Sequence, residues 1–190
     1  MIKRLFDFFV SLLGLIILSP IFFLVAILVK LSSRGPIFFN QERYGKDGKI
    51  FKLVKFRTMK VGTENLYSVE QLREFEMFKD DPRVNRLSKF LRKYALDEIP
   101  QLINILKGEM SFVGPRAYYL DRYKRNAELK QRLVVKPGLT CLSAVGGGVK
   151  LSEEESLKLD LEYIKRKNFF LDISILLKSV FLVVSGKGFV

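Results

Sequence analysis

The sequence predicts a mainly helical α+β fold, and three observations carry that reading. Phe8 to Val29 is an uncharged run of 22 residues, interrupted at Ser19-Pro20. Two apolar-rich arms, IFFNQER and KIFKLVKF, flank the turn signal Lys46-Asp47-Gly48. Beyond residue 83, apolar residues recur at helical spacing in segments bounded by cap and stop residues. The 190 residues suffice for a membrane-embedded N-terminal segment, residues 1–34, followed by one domain, residues 35–190.

Composition narrows the chemistry. The net charge is +13, from 33 Lys+Arg against 20 Asp+Glu, which suits an anionic partner. Nucleic acid is the common partner of a basic protein, but no recognition motif is present, and none is expected to bind here. A 48% hydrophobic content beside this charge favours a membrane lipid surface. With one Cys, Cys141, an intrachain disulfide is excluded, and the lack of His with it argues against a zinc site. Any metal must be a hard cation on carboxylates, Mg²⁺ first. Without His, acid–base or nucleophilic work falls to carboxylates, Lys or Tyr.

The elements follow in order. As one helix, Phe8 to Val29 could reach about 33 Å, enough to cross a bilayer. Two features argue for a bent hairpin instead. Proline at position 20 removes a helical hydrogen bond, and both flanks are basic, with Lys3 and Arg4 before and Lys30 and Arg34 after. The two readings stand level on these residues alone. In the second arm of the β-hairpin, Lys55 and Arg57 are two apart and would share one strand face, able to clamp a diphosphate or merely to meet water. Ser68 with Gln71 marks a capping box for a helix of about ten residues. Arg83 to Tyr94 reads as a basic amphipathic helix, fit for an anionic membrane surface or for solvent. Tyr118 to Lys136 reads as helical, KPGLT as a turn, and Gly146-Gly147-Gly148 as a flexible loop. Ser152 and Glu155 form a second capping box, opening a helix through about Lys167. The apolar tail Phe169 to Ser185 carries Asp172 and Lys178, which suits a helix lying on the membrane or packed under the first hairpin.

The stretch Tyr94 to Arg116, YALDEIPQLINILKGEMSFVGPR, organises the rest. Asp97 and Glu98 open a short apolar helix. Asp97 is positioned as its N-cap, Pro100 is tolerable in its first turn, and Lys107-Gly108 is its stop. Taken alone, such a pair is more often a cap and a dipole complement than a catalytic site. Arg92, Lys93 and Arg116 frame it with positive charge.

LDEIPQLINILKGEMSFVGPR resembles the core motif of the bacterial sugar transferase family, the small monotopic phosphoglycosyl transferases. KFRTM at Lys55 to Met59 and KPGLT at Lys136 to Thr140 match further pieces of the pattern in the same order, as does the apolar run broken at Ser19-Pro20. The resemblance covers essentially the whole chain. It implies a re-entrant N-terminal hairpin at the bacterial cytoplasmic (inner) membrane and a catalytic domain on the cytoplasmic face. It implies transfer of a phosphosugar from a UDP-sugar donor to polyprenyl (undecaprenyl) phosphate, releasing UMP, as the first membrane step of glycan synthesis. Asp97 matches the family's catalytic aspartate and would form a covalent phosphosugar intermediate. Glu98, with Asp97 as a second ligand, would hold Mg²⁺. Arg92 and Arg116 are candidates for phosphate binding, since Arg can engage it bidentately, with Lys55 and Arg57 as partners, and Gln101 matches the family's motif. A ternary-complex transfer and an inactive membrane-anchored binding module are the alternatives, and a homo-oligomer is left open. Two departures stand out. Ala117 replaces the usual proline after Arg116, and Cys141 to Gly148 lacks the family's Gln and Arg-Asn.

Overall fold

The computed structural model describes residues 2–63 and 83–186. The capping box expected at Ser68 and Gln71 lies outside the described residues. The architecture is mainly helical, as the pattern predicts, with two small sheets where one hairpin is expected.

Helices α1 (Ile2–Ile17) and α2 (Ser19–Ser32) meet at Leu18 and are bent by 64°. Pro20 sits in the first turn of α2, where its missing N–H costs no intrahelical bond. Among the described residues no single helix is long and apolar enough to cross a membrane, whereas the bent pair together is. Its outward side chains Phe9, Leu13, Ile16, Phe23 and Ile27 are exposed, while Val25 and Val29 are buried against the domain. Phe22 meets Phe56 at 5.0 Å between ring centres, and Phe38 stacks on Phe56 at 5.5 Å.

Strands β1 (Phe38–Tyr44) and β2 (Ile50–Phe56) form the expected antiparallel hairpin, in the register Phe39↔Lys55 and Tyr44↔Ile50. Its turn uses left-handed conformations at Asp47 (φ 57°) and Gly48 (φ 74°). After β2 the described chain resumes with α3 (Arg86–Lys93), capped by Asn85, whose side chain accepts from the Ser88 N–H. A 3-10 turn, Leu96–Glu98, leads through Pro100 into α4 (Gln101–Lys107), which ends at Gly108 in the left-handed region as its Lys-Gly signal predicts. Asn104 on α4 is 1% exposed and pins the helix to the hairpin: its Oδ1 accepts from Val54 N (3.1 Å) and its Nδ2 donates to Lys52 O (2.8 Å) and Glu109 Oε2 (2.7 Å).

Where a turn is expected at KPGLT, the chain instead forms a strand of a second sheet. β3 (Ser111–Val113) pairs in parallel with β4 (Gly138–Thr140). The pairing brings two glycines together so closely that a Cβ at Gly138 would lie 2.2 Å from the Gly114 nitrogen. Those glycines serve backbone approach between distant segments, which local turn statistics cannot register. Between the strands lie α5 (Leu120–Arg125) and a 3-10 stretch, Ala127–Val134. Gly146 to Gly148 is no loose loop: Gly146 ends α6 (Leu142–Gly146), and Gly148 starts a 3-10 turn to Lys150.

The capping box of Ser152 and Glu155 opens α7 (Glu153–Arg166) as read from sequence. The last helix, α8 (Phe169–Val184), packs beside α1 through Phe6 and Phe169, 5.5 Å apart. Asp172, one of the two charges in this apolar tail, is buried. Lys3 Nζ lies 2.5 Å from its Oδ2 and the Tyr163 hydroxyl donates to its Oδ1 at 2.7 Å. Phe170, Leu177 and Phe181 on the outer face of α8 are exposed.

Candidate active site

Asp97 and Glu98 lie at the centre of the domain and are only 6% and 8% exposed. Asp97 does not cap α4, contrary to the sequence reading. It sits inside the 3-10 turn, with Ala95 at the cap position (φ 50°) and Pro100 as the residue preceding α4. A non-glycine residue at positive φ costs of order 1 kcal/mol or more and persists only where its surroundings impose it. Here the kink after α3 turns two consecutive carboxyl groups inward rather than spending the first on helix N–H groups.

The two carboxyls have different company. Lys55, on the core-facing side of β2 with Phe51 and Leu53, donates to Glu98 Oε1 at 2.6 Å. Arg116, just past β3, donates to the same oxygen at 3.1 Å. Gln101, three residues along and buried, also helps to hold the Glu98 carboxyl down. Burial alone would push the Glu98 carboxyl up, but the charges of Lys55 and Arg116 and these hydrogen bonds hold it below the usual glutamate range. Asp97 accepts no side-chain hydrogen bond among the described residues. Burial first, then the neighbouring Glu98, push its carboxyl above the usual range, and Lys55 and Arg92 pull the other way without prevailing. Arg92, in the last turn of α3, is steered by its Nε, which donates to Thr58 Oγ1 at 3.0 Å.

Lys55, Arg92, Gln101 and Arg116 thus gather about the carboxyl pair from four different elements. Arg57 does not join them in this arrangement. β2 ends at Phe56, so the strand alternation that would place Lys55 and Arg57 on one face stops between them. The Arg57 guanidinium donates to the carbonyls of Ser33 and Arg34 (2.8 Å each) and to Ser33 Oγ (3.0 Å), closing the C-terminal end of α2. Gly35 makes room for it: a Cβ there would lie 2.0 Å from Arg57 Nη1.

Sequence reasoning also passed over a layer behind Arg116. Arg132 Nη2 donates to the Arg116 carbonyl (2.9 Å) and lies 2.6 Å from Asp160 Oδ2, both side chains being 1% exposed. Ser143 in turn donates to Asp160 Oδ1 at 3.2 Å. Nothing local marks Arg132 or Asp160, since each sits in an ordinary charged segment. Asn104 and Thr58 lie inside the motifs quoted above and could have been singled out.

No cluster of three or more acidic or Cys side chains occurs among the described residues. Two adjacent carboxyls, one held ionised and one free of side-chain donors, nevertheless fit Mg²⁺, which commonly takes one or two carboxylates and fills its octahedron with water and substrate phosphate. Chemically, the arrangement offers a hard-cation ligand, an oxygen nucleophile and two or three cationic side chains suited to a diphosphate.

The chain matches the model of the family described as bacterial sugar transferase over residues 1–186. It is 40% identical, over 100% of its length, to a UDP-glucose:undecaprenyl-phosphate glucose-1-phosphate transferase of Escherichia coli K12, covering 40% of that protein. It is 39% identical, over 98% of its length, to the galactosyl transferase CpsE of Streptococcus agalactiae serotype III, covering 43% of it. It is 38% identical, over 98% of its length, to the exopolysaccharide production protein ExoY of Sinorhizobium fredii, covering 87% of it. The chain therefore spans about two-fifths of the first two relatives and most of the third. A buried Asp-Glu pair ringed by Lys55, Arg92 and Arg116, on a chain matched from end to end, places this protein in the bacterial sugar transferase family.

Proposed function

We propose that the chain is a phosphoglycosyl transferase that moves a sugar phosphate from a UDP-sugar to polyprenyl (undecaprenyl) phosphate, releasing UMP. One observation carries this reading: of two adjacent buried carboxyls, Glu98 is committed to Lys55 and Arg116, and Asp97 is left without a side-chain donor among the described residues. The names of the relatives, which specify undecaprenyl-phosphate sugar-phosphate transfer and exopolysaccharide production, supply the substrate classes.

In this reading an Asp97 oxygen attacks the sugar-bearing phosphorus of the donor. The phosphorus–oxygen bond to UMP breaks, UMP leaves with the electron pair, and an aspartyl phosphosugar remains. A phosphate oxygen of the polyprenyl acceptor then attacks the same phosphorus and Asp97 is released. Lys55, Arg92 and Arg116 offset charge on the diphosphate, and Gln101 keeps Glu98 oriented. Glu98 and Asp97 would hold Mg²⁺, which would supply positive charge to offset that building on the leaving phosphate. Arg57 contributes from a distance, fixing the membrane segment to the strand that carries Lys55.

The membrane arrangement belongs to the same proposal. Residues 1–34 enter and leave one leaflet of the bacterial cytoplasmic membrane, and residues 35–190 carry the chemistry on the cytoplasmic face. Both ends of the bent pair are tied to one domain, which supports this. Arg4 donates to the carbonyls of Ile105 and Leu106 (2.7 Å each), and Arg57 holds Ser33 and Arg34. Both ends are also basic.

The test uses purified protein, Mg²⁺ and a panel of UDP-sugars without acceptor. The expected result is a mass increase of one phosphosugar, a stoichiometric burst of UMP, and neither in Asp97→Asn. UMP release that waits for added polyprenyl phosphate would replace the covalent route with a ternary complex. Full activity in Asp97→Asn would remove Asp97 as nucleophile.

A further inference from the structure

Immediately beyond Arg116 the chain builds an aromatic and cationic surface that the transfer chemistry does not use. Tyr119 is half exposed. The Arg43 guanidinium lies 3.5 Å from the centre of its ring, and the two residues form an isolated antiparallel bridge between their backbones. The ring is therefore fixed by main-chain pairing as well as by the stack. Arg43 is 7% exposed, its Nη2 donates to Gln41 Oε1 at 2.8 Å, and its Nε has no hydrogen-bond partner among the described residues. Beside it, Tyr118 carries Arg122 and Arg132, each 3.9 Å from its ring centre, and Tyr123 packs edge-on to Tyr44 at 5.4 Å.

We infer that Tyr119, backed by Arg43, is the platform on which the base of the nucleotide donor stacks. This rests on the phosphoglycosyl transferase reading and assigns the nucleoside end of the same substrate. One ring face is covered by the guanidinium, and the half of the ring that remains exposed offers the other face to a planar group. Tyr119 follows Arg116 by three residues, a reach of at most about 10 Å, so a diphosphate at Arg116 and Lys55 places its nucleoside within range. A buried guanidinium beneath the ring also compensates the phosphate charge that the nucleotide brings. Because every base has a π face, the platform contributes affinity and leaves the choice of base to other contacts.

The experiment compares two probes, UDP and inorganic pyrophosphate, each titrated calorimetrically with Mg²⁺ into the full chain in detergent micelles. Wild type is expected to bind both, UDP more tightly. Tyr119→Ala is expected to lose about 10- to 100-fold for UDP, the range of one base–aromatic stack, with pyrophosphate unchanged. Tyr119→Phe is expected to keep wild-type affinity for both. Unchanged UDP binding in Tyr119→Ala, or an equal loss for both probes, would overturn the platform while leaving the transferase reading intact. A wild type that binds neither probe would overturn the transferase reading and this inference with it.

Discussion

The buried pair Arg132–Asp160 allows stability and site geometry to be separated in one set of variants. Both side chains are 1% exposed, and Arg132 Nε and Nη1 find no hydrogen-bond partner among the described residues. Asp160→Ala strands a guanidinium in the interior, which costs about 3–5 kcal/mol. At roughly 2–4 °C per kcal/mol for a chain of this size, the thermal midpoint should fall by about 6–20 °C. The double variant Arg132→Met/Asp160→Leu removes both charges at similar volume and should return to within about 1.5 kcal/mol of wild type or exceed it. The pH dependence has a definite sign. Burial, outweighing the attraction of Arg132, holds the Asp160 carboxyl above its unfolded value near 4. The folded state therefore binds the proton more tightly, and this group's contribution is largest at acid pH and is lost as pH rises through the folded value. The advantage of the double variant should accordingly be greater at pH 7 than at pH 4. Thermal unfolding in detergent, followed by circular dichroism, measures both. A loss under about 1 kcal/mol in Asp160→Ala, or a double variant as unstable as the single, would refute the account. UMP release completes the test. The double variant no longer holds the Arg116 carbonyl (2.9 Å in wild type), and a hydrogen bond from a charged donor carries about 1.5–3 kcal/mol, so its kcat/KM should drop roughly 10- to 100-fold despite recovered stability.

Three further outcomes follow from the site and its frame. Lys55→Met removes the closest cation on Glu98 (2.6 Å) and should lower the UMP burst rate at least about 100-fold while the protein remains folded; an unchanged rate would exclude Lys55 from the chemistry. The Asp97 carboxyl is raised by burial and by Glu98, so as nucleophile it must lose its proton at a pH above the ordinary aspartate range near 4. The burst rate should fall as pH drops through that raised value, and Arg92→Met, which removes a cation opposing the rise, should move the acid limb higher; a limb that moves down would contradict the electrostatic account. Asp172→Ala leaves Lys3 and Tyr163 without their shared acceptor, but both retain the Val113 carbonyl (3.0 and 3.1 Å), so the loss should be about 2 kcal/mol, read as a fall of roughly 4–8 °C in thermal midpoint.

What could be read from sequence were the features encoded by neighbours. The hairpin turn at Asp47-Gly48, the helix stop at Gly108 and the Ser152–Glu155 capping box each depend on a few adjacent residues, and each is present. The misreadings share the opposite cause. Asp97 looks like a cap because Asp before an apolar helix usually is one, yet the left-handed Ala95 redirects it. KPGLT looks like a turn because Pro-Gly usually is one, yet Gly138 is there so that β4 can meet Gly114. Asp172 marks a packed tail in the sequence, but its partner Lys3, 169 residues away, is set only by the fold. Arg57 shares a short motif with Lys55, but the strand ends between them and sends the two cations to different tasks.

The same logic decides which carboxyl does what. Asp97 and Glu98 are neighbours in sequence, equally buried, and indistinguishable by motif spacing. Their difference comes from Lys55, 43 positions earlier, and Arg116, 18 positions later, which converge on one oxygen of Glu98. That convergence lowers one carboxyl and, with the other denied comparable partners, leaves Asp97 raised by burial and by the very charge that has been stabilised beside it. A carboxylate already sharing its charge with two cations is a poor nucleophile and a good anchor. Its neighbour, desolvated and without a side-chain donor, keeps its electron pairs available for phosphorus. Exchanging the roles would therefore take more than exchanging the residues. The phosphosugar formed by Asp97→Glu/Glu98→Asp should still be carried at position 97, read by peptide mapping of the burst product, because the hairpin and β3 would still deliver both cations to the second position of the pair.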